Sequence, residues 1–480
     1  MAAIRTRIAP SPTGPLHIGT ARTALFNFLF ARKQGGAFVL RIEDTDIERS
    51  DTKYEKDIFD GLKWLGVKAD ECPKEGGAYG PYRQSERITS YQPYLEQLLA
   101  SGQAYYCPHT EGELEAEKKN LMAGGRNSVH VCLYRDGGAV PTAGSIIRFK
   151  TPAGRTLEFN DLIRGDISFG SDLVGDFSIA KDLTTPLYNF AVVIDDHEMK
   201  ISHVIRGEDH ISNTPKQMLL AEALGFGLPL FAHLPLILGI DRSKLSKRHS
   251  ATSVREFREQ GYLAEALVNF MALLGWNPGG ERELFSLDEL INEFDLGHVQ
   301  KAGAVFNTEK LDWMNGEYIR KRSSSELREL AMPYLEGFLK NANAGSGVPP
   351  EDIEKIILLE QPRLKKLSDI GEKVEYFFRE PDYPFELLRW KDMPDQKVRT
   401  SLERSKKLIE GMTPGDFTPE KLQNNFLLAI GAGDKGVLLW PLRVALTGRK
   451  ASPGPFEILA ILGNDEGRRR IERALAKIPV

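Results

Sequence analysis

The segment Pro10-Ser-Pro-Thr-Gly-Pro-Leu-His17-Ile18-Gly19-Thr20 sets a histidine and a glycine between a strand-like run and a helix-like run. A helix start carries unpaired N–H groups and a partial positive charge, and both favour a phosphate. Gly19 permits close backbone approach, and the His17 ring can donate a hydrogen bond to a phosphate oxygen. Far along the chain, Lys244-Leu-Ser246-Lys247-Arg248 places two lysines three apart with a serine between them. Such a loop can cradle a triphosphate and neutralise charge as it moves onto pyrophosphate. Taken singly, each segment also reads as an ordinary helix start or a lysine-rich loop. Taken as a pair, each just after a strand of one α/β pattern, they point to nucleotide chemistry.

The elements that must hold these groups follow from periodicity. Residues 4–9 alternate apolar and polar like a strand, Pro10–Pro15 is rich in breakers, and Leu16 to Lys33 has helical spacing that stops at Gly35-Gly36. Ala37–Ile42 predicts a second strand and Thr52–Leu65 a helix, the opening of a parallel α/β unit. From about 104 to 185 the rhythm breaks. An acidic helix at Glu111–Met122 and strand-like runs at Ser145–Lys150 and Thr156–Phe159 predict an insertion. The pattern resumes with the apolar run Phe190–Ile194, a strand at His203–Arg206, a helix at Asn213–Leu224 and a strand at Leu234–Leu238. Beyond about Leu263 helical periodicity dominates. The expected fold is α/β: a Rossmann-like parallel sheet split by an α+β insertion and followed by an all-α C-terminal half. The expected divisions are 1–105, 106–185, 186–250, 251–320 and 321–480.

Composition sets the frame. A 480-residue chain with 41% hydrophobic and 27% charged residues is too long for one ordinary domain and can bury a real core. No apolar run approaches the ~18 residues of a membrane span, and the N-terminus enters a strand pattern without a signal-peptide stretch. Three cysteines (Cys72, Cys107, Cys132) are too few for a disulfide framework, so a cytoplasmic setting is expected. The net charge of −4 does not announce a nucleic-acid binder. Local cation clusters at 242–248, 320–322, 363–366, 404–407 and 468–470 nevertheless suggest a polyanion along one side.

The two phosphate-directed segments resemble the His-Ile-Gly-His and Lys-Met-Ser-Lys-Ser signatures of class I aminoacyl-tRNA synthetases. The flanking phrases resemble one family within that class, the glutamyl-tRNA synthetases: Arg7-Ile-Ala-Pro-Ser-Pro-Thr-Gly14, Arg22-Thr-Ala-Leu25, Arg41-Ile-Glu-Asp-Thr-Asp46, Tyr82-Arg-Gln-Ser-Glu-Arg87, Tyr188-Asn-Phe-Ala191, Asp195-Asp196, His203–His210 and Asn213–Gln217. The resemblance implies ATP-dependent activation of L-glutamate to glutamyl-adenylate, with Mg²⁺ accompanying the ATP, then transfer to the 3′ end of tRNA-Glu. It implies catalytic roles for His17, Lys244 and Lys247, and an ATP site of Thr13, His17, Gly19, Glu208, Ser246 and Lys247. It implies a glutamate pocket of Arg7, Ala9, Ser11, Glu43, Tyr188, Val192 and Arg206, in which an arginine meets the γ-carboxylate and a carboxylate the α-ammonium. The insertion would bind the tRNA acceptor end, residues 251–320 its stem, and residues 321–480 the anticodon. A monomer is expected.

Departures from the family pattern are few. Thr20 replaces the second histidine of the class motif, Lys181–Pro186 lacks an expected Asp-Gly step, and Ser250 stands where glycine is usual. Within the insertion, Cys107-Pro-His109 and His130-Val-Cys132 supply four N/S groups, the set tetrahedral Zn²⁺ takes, in a region where some relatives carry structural zinc. The alternative, unrelated side chains in a flexible insertion, stays open at this level. Gln361 and Arg363 both fall where some relatives place an arginine that restricts charging to tRNA-Glu; Gln361 in that role would admit tRNA-Gln as well. Glutaminyl-tRNA synthetase is the nearest other enzyme but would need a β-rich C-terminal part. A non-catalytic tRNA-binding paralogue would lack His17, Lys247, Arg7 or Glu43, and all four are present.

Overall fold

The computed structural model describes residues 3–46, 48–123, 130–137, 142, 144–246, 251–341 and 349–479. The chain divides into two compact units, residues 1–258 with 264–311, and residues 259–263 with 312–480.

In the first unit, β1 (Arg5–Ile8) and β2 (Ala37–Leu40) pair in parallel from Arg5↔Ala37 to Ile8↔Leu40, joined by helix α1 (Ile18–Lys33). All four residues of β1 are buried, as expected of a parallel strand covered on both faces. The buried Asn27 on α1 donates to the Ile205 carbonyl at 2.9 Å and accepts, through its own carbonyl, the Thr6 hydroxyl at 3.0 Å. Its side-chain amide and its backbone carbonyl thus lock the helix to two strands. The turn out of α1 needs two glycines for different reasons. Gly35 has a φ of 60°, and a Cβ on Gly36 would lie 2.3 Å from the Ile4 carbonyl oxygen.

The next elements are α2 (Thr52–Trp64), α3 (Ile88–Ala100), β3 (Ala104–Cys107), α4 (Glu111–Ala123), β4 (Ile146–Phe149), β5 (Thr156–Asp161), β6 (Gly165–Gly170), α5 (Ser171–Val174), β7 (Phe177–Asp182) and β8 (Thr185–Pro186). They are followed by α6 (Tyr188–Glu198), β9 (His203–Gly207), α7 (Thr214–Leu224), β10 (Leu230–Leu234) and β11 (Ile237–Leu238). Strands β3, β4, β7 and β8 form an antiparallel sheet in that order. The β5–β6 hairpin does not join it. Instead β5 pairs in parallel with β10, giving a sheet ordered β6-β5-β10-β9.

One apolar run gains its element here, and one sequence expectation changes in detail. The run Phe190–Ile194 is helical, inside α6, and all five of its residues are buried. A helix covered on every side loses the polar stripe that would distinguish it from a buried strand. The expected strand Leu234–Leu238 splits at Pro235, which has no N–H to give a ladder, into β10 and β11.

The second unit is helical among its described residues, with helices at Ser324–Asn341, Pro350–Glu360, Ile370–Phe378, Asp395–Glu410, Pro419–Ile430, Lys435–Thr447 and Pro455–Ala476. Thr418 caps one helix with proline at its first turn, Asp434 caps the next, and that one ends on left-handed Gly448. Among the described residues no helix is long and apolar enough to cross a membrane.

Replacing Gly36 with alanine forces its Cβ against a backbone oxygen rather than a movable side chain. We expect a loss of about 1–3 kcal/mol in the first unit, read as a lower urea midpoint, and a milder effect at open Gly14.

Candidate active site

Residues 252–254, a few positions beyond the lysine-rich segment, join the start of α1 through the backbone. Ile18 N–H donates to the Thr252 carbonyl at 2.7 Å, and Val254 N–H donates to the Leu16 carbonyl at 2.9 Å. The chain leaving the lysine loop is therefore stitched to the start of α1. His17 is the N-cap of α1, and its Nδ1 accepts the Gly19 N–H at 3.1 Å. With Nδ1 occupied as an acceptor, the neutral ring carries its proton on Nε2 and offers that N–H as a donor. Burial, helped by the Lys244 cation, holds the ring below its usual pKa, so the neutral form prevails near pH 7. Lys244 sits on a tight return closed by Leu245 N–H to the Ile237 carbonyl at 3.0 Å and Gly239 N–H to the Ser243 carbonyl at 2.8 Å. Its ammonium lies 3.7 Å from Asp209. Lys247, with Arg248 and Ser250, lies outside the described residues.

A cavity of about 700 Å³ opens beside these groups. Arg7, Ala9, Ser11, His17, Gly19, Glu43, Tyr188, Arg206 and Lys244 all line it. Four other candidates do not. Thr13 is exposed on the loop, with its N–H on the Ser11 carbonyl. Val192 packs in the core with Phe190, Leu219 and Leu220. Glu208 accepts the Leu236 N–H at 2.8 Å and pairs with Arg164 at 2.5 Å, bracing the end of β10. Ser246 is the last described residue of its loop. The Lys181–Pro186 segment closes without glycine, because Asp182 accepts the Thr184 N–H at 2.7 Å and the Thr185 hydroxyl at 3.1 Å.

Beneath the cavity lies an ion network that motif reading left without a role. Asp195 and Asp196 sit in the last turn of α6, the wrong end of a helix dipole for anions. Cations from elsewhere in the chain compensate. Arg7 Nε lies 3.1 Å from Asp196, Arg41 lies 2.9 Å from Asp196 and 3.6 Å from Asp195, and Arg87 Nε lies 2.7 Å from Asp195. Tyr91 and Gln84 complete the Asp195 shell at 3.0 and 2.8 Å. Burial opposes ionisation of Asp196, yet Arg7 and Arg41 hold its carboxyl below the usual range. Glu43 is 3.3 Å from Arg41, but burial outweighs Arg41 and Arg7 and lifts it to about 7. Arg22 also went unassigned. It lines the cavity, donates to the Pro235 and Leu274 carbonyls, and is lowered to about 10 by burial. Two adjacent acids ending an otherwise apolar helix were the available sequence signal for the network.

Tyr188 Oη lies 3.0 Å from His210 Nδ1, which the Asn213 amide also approaches at 3.3 Å. The Asn213 nitrogen can only donate, so Nδ1 is an acceptor and Tyr188 donates to it as well. Burial, with Arg206 nearby, holds His210 at about 4, hence neutral.

A second cluster lies in the insertion. One ligand atom each from Cys107, His109, His130 and Cys132 fall within 4.8 Å of one another. Cys107 Sγ is 3.4 Å from His109 Nδ1 and 3.6 Å from His130 Nε2, and Cys132 Sγ is 3.7 Å from His109 Nδ1. Ligands about 2.0–2.3 Å from a tetrahedral ion stand roughly 3.3–3.8 Å apart, so the donor set and spacing fit zinc. Glu117 on α4 takes the other ring nitrogen of His130, the outer partner that ligating histidines commonly have.

Glu43 yields a signed expectation. Its folded pKa near 7 exceeds the ordinary 4.5, so its contribution to stability is full below 4.5 and is lost as pH rises through 7. Relative to Glu43→Gln, the natural chain should lose up to about 3 kcal/mol between those pH values and no more above. Urea midpoints of both proteins across that range check it.

Residues 3–313 match the family described as tRNA synthetases class I (E and Q), catalytic domain, and residues 326–475 match an anticodon binding domain. A glutamate–tRNA ligase of Carboxydothermus hydrogenoformans is 47% identical over 488 residues, covering 98% of this chain and 99% of that protein. A glutamate–tRNA ligase 1 of Caldicellulosiruptor saccharolyticus is 45% identical over 489 residues, covering 98% of each. The crystal structure of a glutamate tRNA ligase from Elizabethkingia meningosepticum, in complex with its amino acid, is 36% identical with a TM-score of 0.87, covering 99% of this chain and all of that one.

Proposed function

This chain belongs to the class I tRNA synthetases of the glutamate and glutamine type, among the glutamate–tRNA ligases, and from that membership we propose how its own residues carry the reaction. It activates L-glutamate with ATP to glutamyl-adenylate and transfers the glutamyl group to the terminal adenosine of tRNA-Glu. One observation carries the residue-level reading: His17 and Lys244, the phosphate-directed groups, share a single cavity with Arg7, Glu43, Tyr188 and Arg206.

In the first step the glutamate α-carboxylate attacks the α-phosphate and pyrophosphate leaves. His17 Nε2–H and the start of α1 stabilise the negative charge that grows on the phosphate oxygens. Lys244 follows the charge onto the leaving group, with Lys247 and Ser246 assigned to the same loop by their motif. Mg²⁺ bound with ATP supplies additional neutralisation. Arg7, oriented by Asp196, and Arg206 take the γ-carboxylate, while Glu43 takes the α-ammonium, whose charge draws the buried carboxyl toward its ionised form. In the second step a ribose hydroxyl of the tRNA attacks the mixed anhydride and AMP leaves. The protein's contribution is placement and charge, since the substrate carboxylate and the tRNA hydroxyl are themselves the nucleophiles. A cytoplasmic monomer is the setting this reading implies.

In the helical unit, the Gln361 amide donates to the Ile319 carbonyl at 3.0 Å and the Arg322 carbonyl at 2.9 Å, so it braces the chain. The Arg363 side chain is 37% exposed and held by Glu360 at 3.0 Å. That contrast favours Arg363 as the anticodon-reading residue and tRNA-Glu as the substrate.

We assign a structural Zn²⁺ to Cys107, His109, His130 and Cys132. Metal-stripped protein should bind one equivalent of Zn²⁺ in a competitive chelator titration, and Cys107→Ser should abolish it; stoichiometric uptake by that variant would refute the assignment.

The activity is tested by charging with radiolabelled glutamate, ATP and Mg²⁺ on separate tRNA-Glu and tRNA-Gln transcripts. Charging of tRNA-Glu alone is expected. Charging of both would overturn the Arg363 assignment, and charging of neither by folded, tRNA-binding protein would favour a non-catalytic paralogue.

A further inference from the structure

Arg206 is backed by a buried pair to which the activation step gives no part. His233 on β10 is wholly buried, and Asp161 at the end of β5 is 1% exposed. His233 Nδ1 lies 2.6 Å from Asp161 Oδ2, and His233 Nε2 lies 3.1 Å from Arg206 Nε. An arginine Nε can only donate, so Nε2 must be the acceptor. The ring is therefore neutral with its proton on Nδ1, donated to Asp161. The other Asp161 oxygen accepts the Ile163 and Arg164 N–H groups at 3.0 and 2.9 Å and the His233 N–H at 3.3 Å, fixing the carboxylate in one orientation. Arg206 is held at its far end as well, by Gln217 at 2.8 Å and Thr214 at 2.8 Å.

We infer that Asp161 and His233 are positioning residues for substrate carboxylate recognition, a relay that fixes the histidine tautomer and through it the plane of the Arg206 guanidinium. An arginine already held in one rotamer loses little side-chain freedom when a carboxylate arrives, whereas an unheld one must be ordered at the expense of binding. The arrangement also has a topological consequence. Asp161 belongs to the inserted region and enters the parallel sheet only through β5–β10 pairing at Phe231↔Asp161. A chain of two hydrogen bonds thus runs from the insertion to the amino-acid pocket. The inference rests on the assignment of Arg206 to the glutamate site.

The test is Asp161→Asn, assayed by charging of tRNA-Glu. The asparagine oxygen is claimed by the turn N–H groups, which leaves its NH₂ facing His233 Nδ1. The ring must then put its proton on Nε2, donor against donor with Arg206, as when an analogous substitution disturbs the tautomer in a catalytic triad. We expect KM for glutamate to rise about tenfold or more with KM for ATP unchanged. We further expect His233→Gln in the same background, whose amide oxygen can accept from Arg206, to recover most of the loss. An unchanged glutamate KM in Asp161→Asn, alongside a raised one in Arg206→Gln, would overturn the relay. An unchanged KM in Arg206→Gln would instead remove Arg206 from the pocket. Should Asp161→Asn not fold, the histidine ¹⁵N spectrum of the natural protein decides. The resonance missing from His233→Gln must show a protonated Nδ1, and a protonated Nε2 would end the proposal.

Discussion

Arg41 has no exposed surface, and neither has Asp195 beside it. A guanidinium taken out of water costs several kcal/mol unless carboxylates surround it, and here Asp196, Asp195 and Glu43 do so at 2.9, 3.6 and 3.3 Å. Removing Asp195 or Asp196 would leave the arginines buried and uncompensated, a loss of order 3–5 kcal/mol. The end of β2, the last turn of α6, Arg7 of β1 and Arg87 at the head of α3 can therefore meet in only one arrangement. The cavity floor inherits that rigidity. Arg7 gives Asp196 its Nε and one terminal nitrogen, so this cavity-lining side chain is already held in one orientation.

The His17 end of the cavity is organised differently, by backbone rather than by charge. The strand-like pairing of residues 16–18 with 252–254 ties that later segment to the start of α1. Ion pairing at one end and backbone pairing at the other suit a reaction whose reactants must be held in one geometry while charge moves between them.

How much of this the sequence discloses depends on how local each signal is. That His17, Gly19 and Lys244 share a cavity agrees with their reading from short segments of fixed spacing, and the alternation of strands and helices from Arg5 to Trp64 is legible too. The ion network was not readable from residue patterns, since nothing at Arg41 names its partners some 150 residues later in the chain. Pairing of β5 with β10 was missed for the same reason: a strand's period sets which faces it buries, not which edge it joins. Val192 shows a third limit. It follows Tyr188 by one turn on the same face of α6, yet only Tyr188 lines the cavity while Val192 packs deeper in the core, a difference of depth that the motif does not carry. The Cys/His cluster lay between these cases: its ligands were visible, but their convergence needed the fold.

The central claim is that one cavity binds the amino acid at Arg7, Glu43 and Arg206 and the nucleotide at His17 and Lys244. The most direct measurement is a crystal structure with a non-hydrolysable glutamyl-adenylate analogue. The expected complex has the γ-carboxylate against Arg7 and Arg206, the α-ammonium against Glu43, and the phosphate surrogate within hydrogen-bond reach of His17 Nε2. An analogue bound in the reverse sense, or outside this cavity, would contradict it.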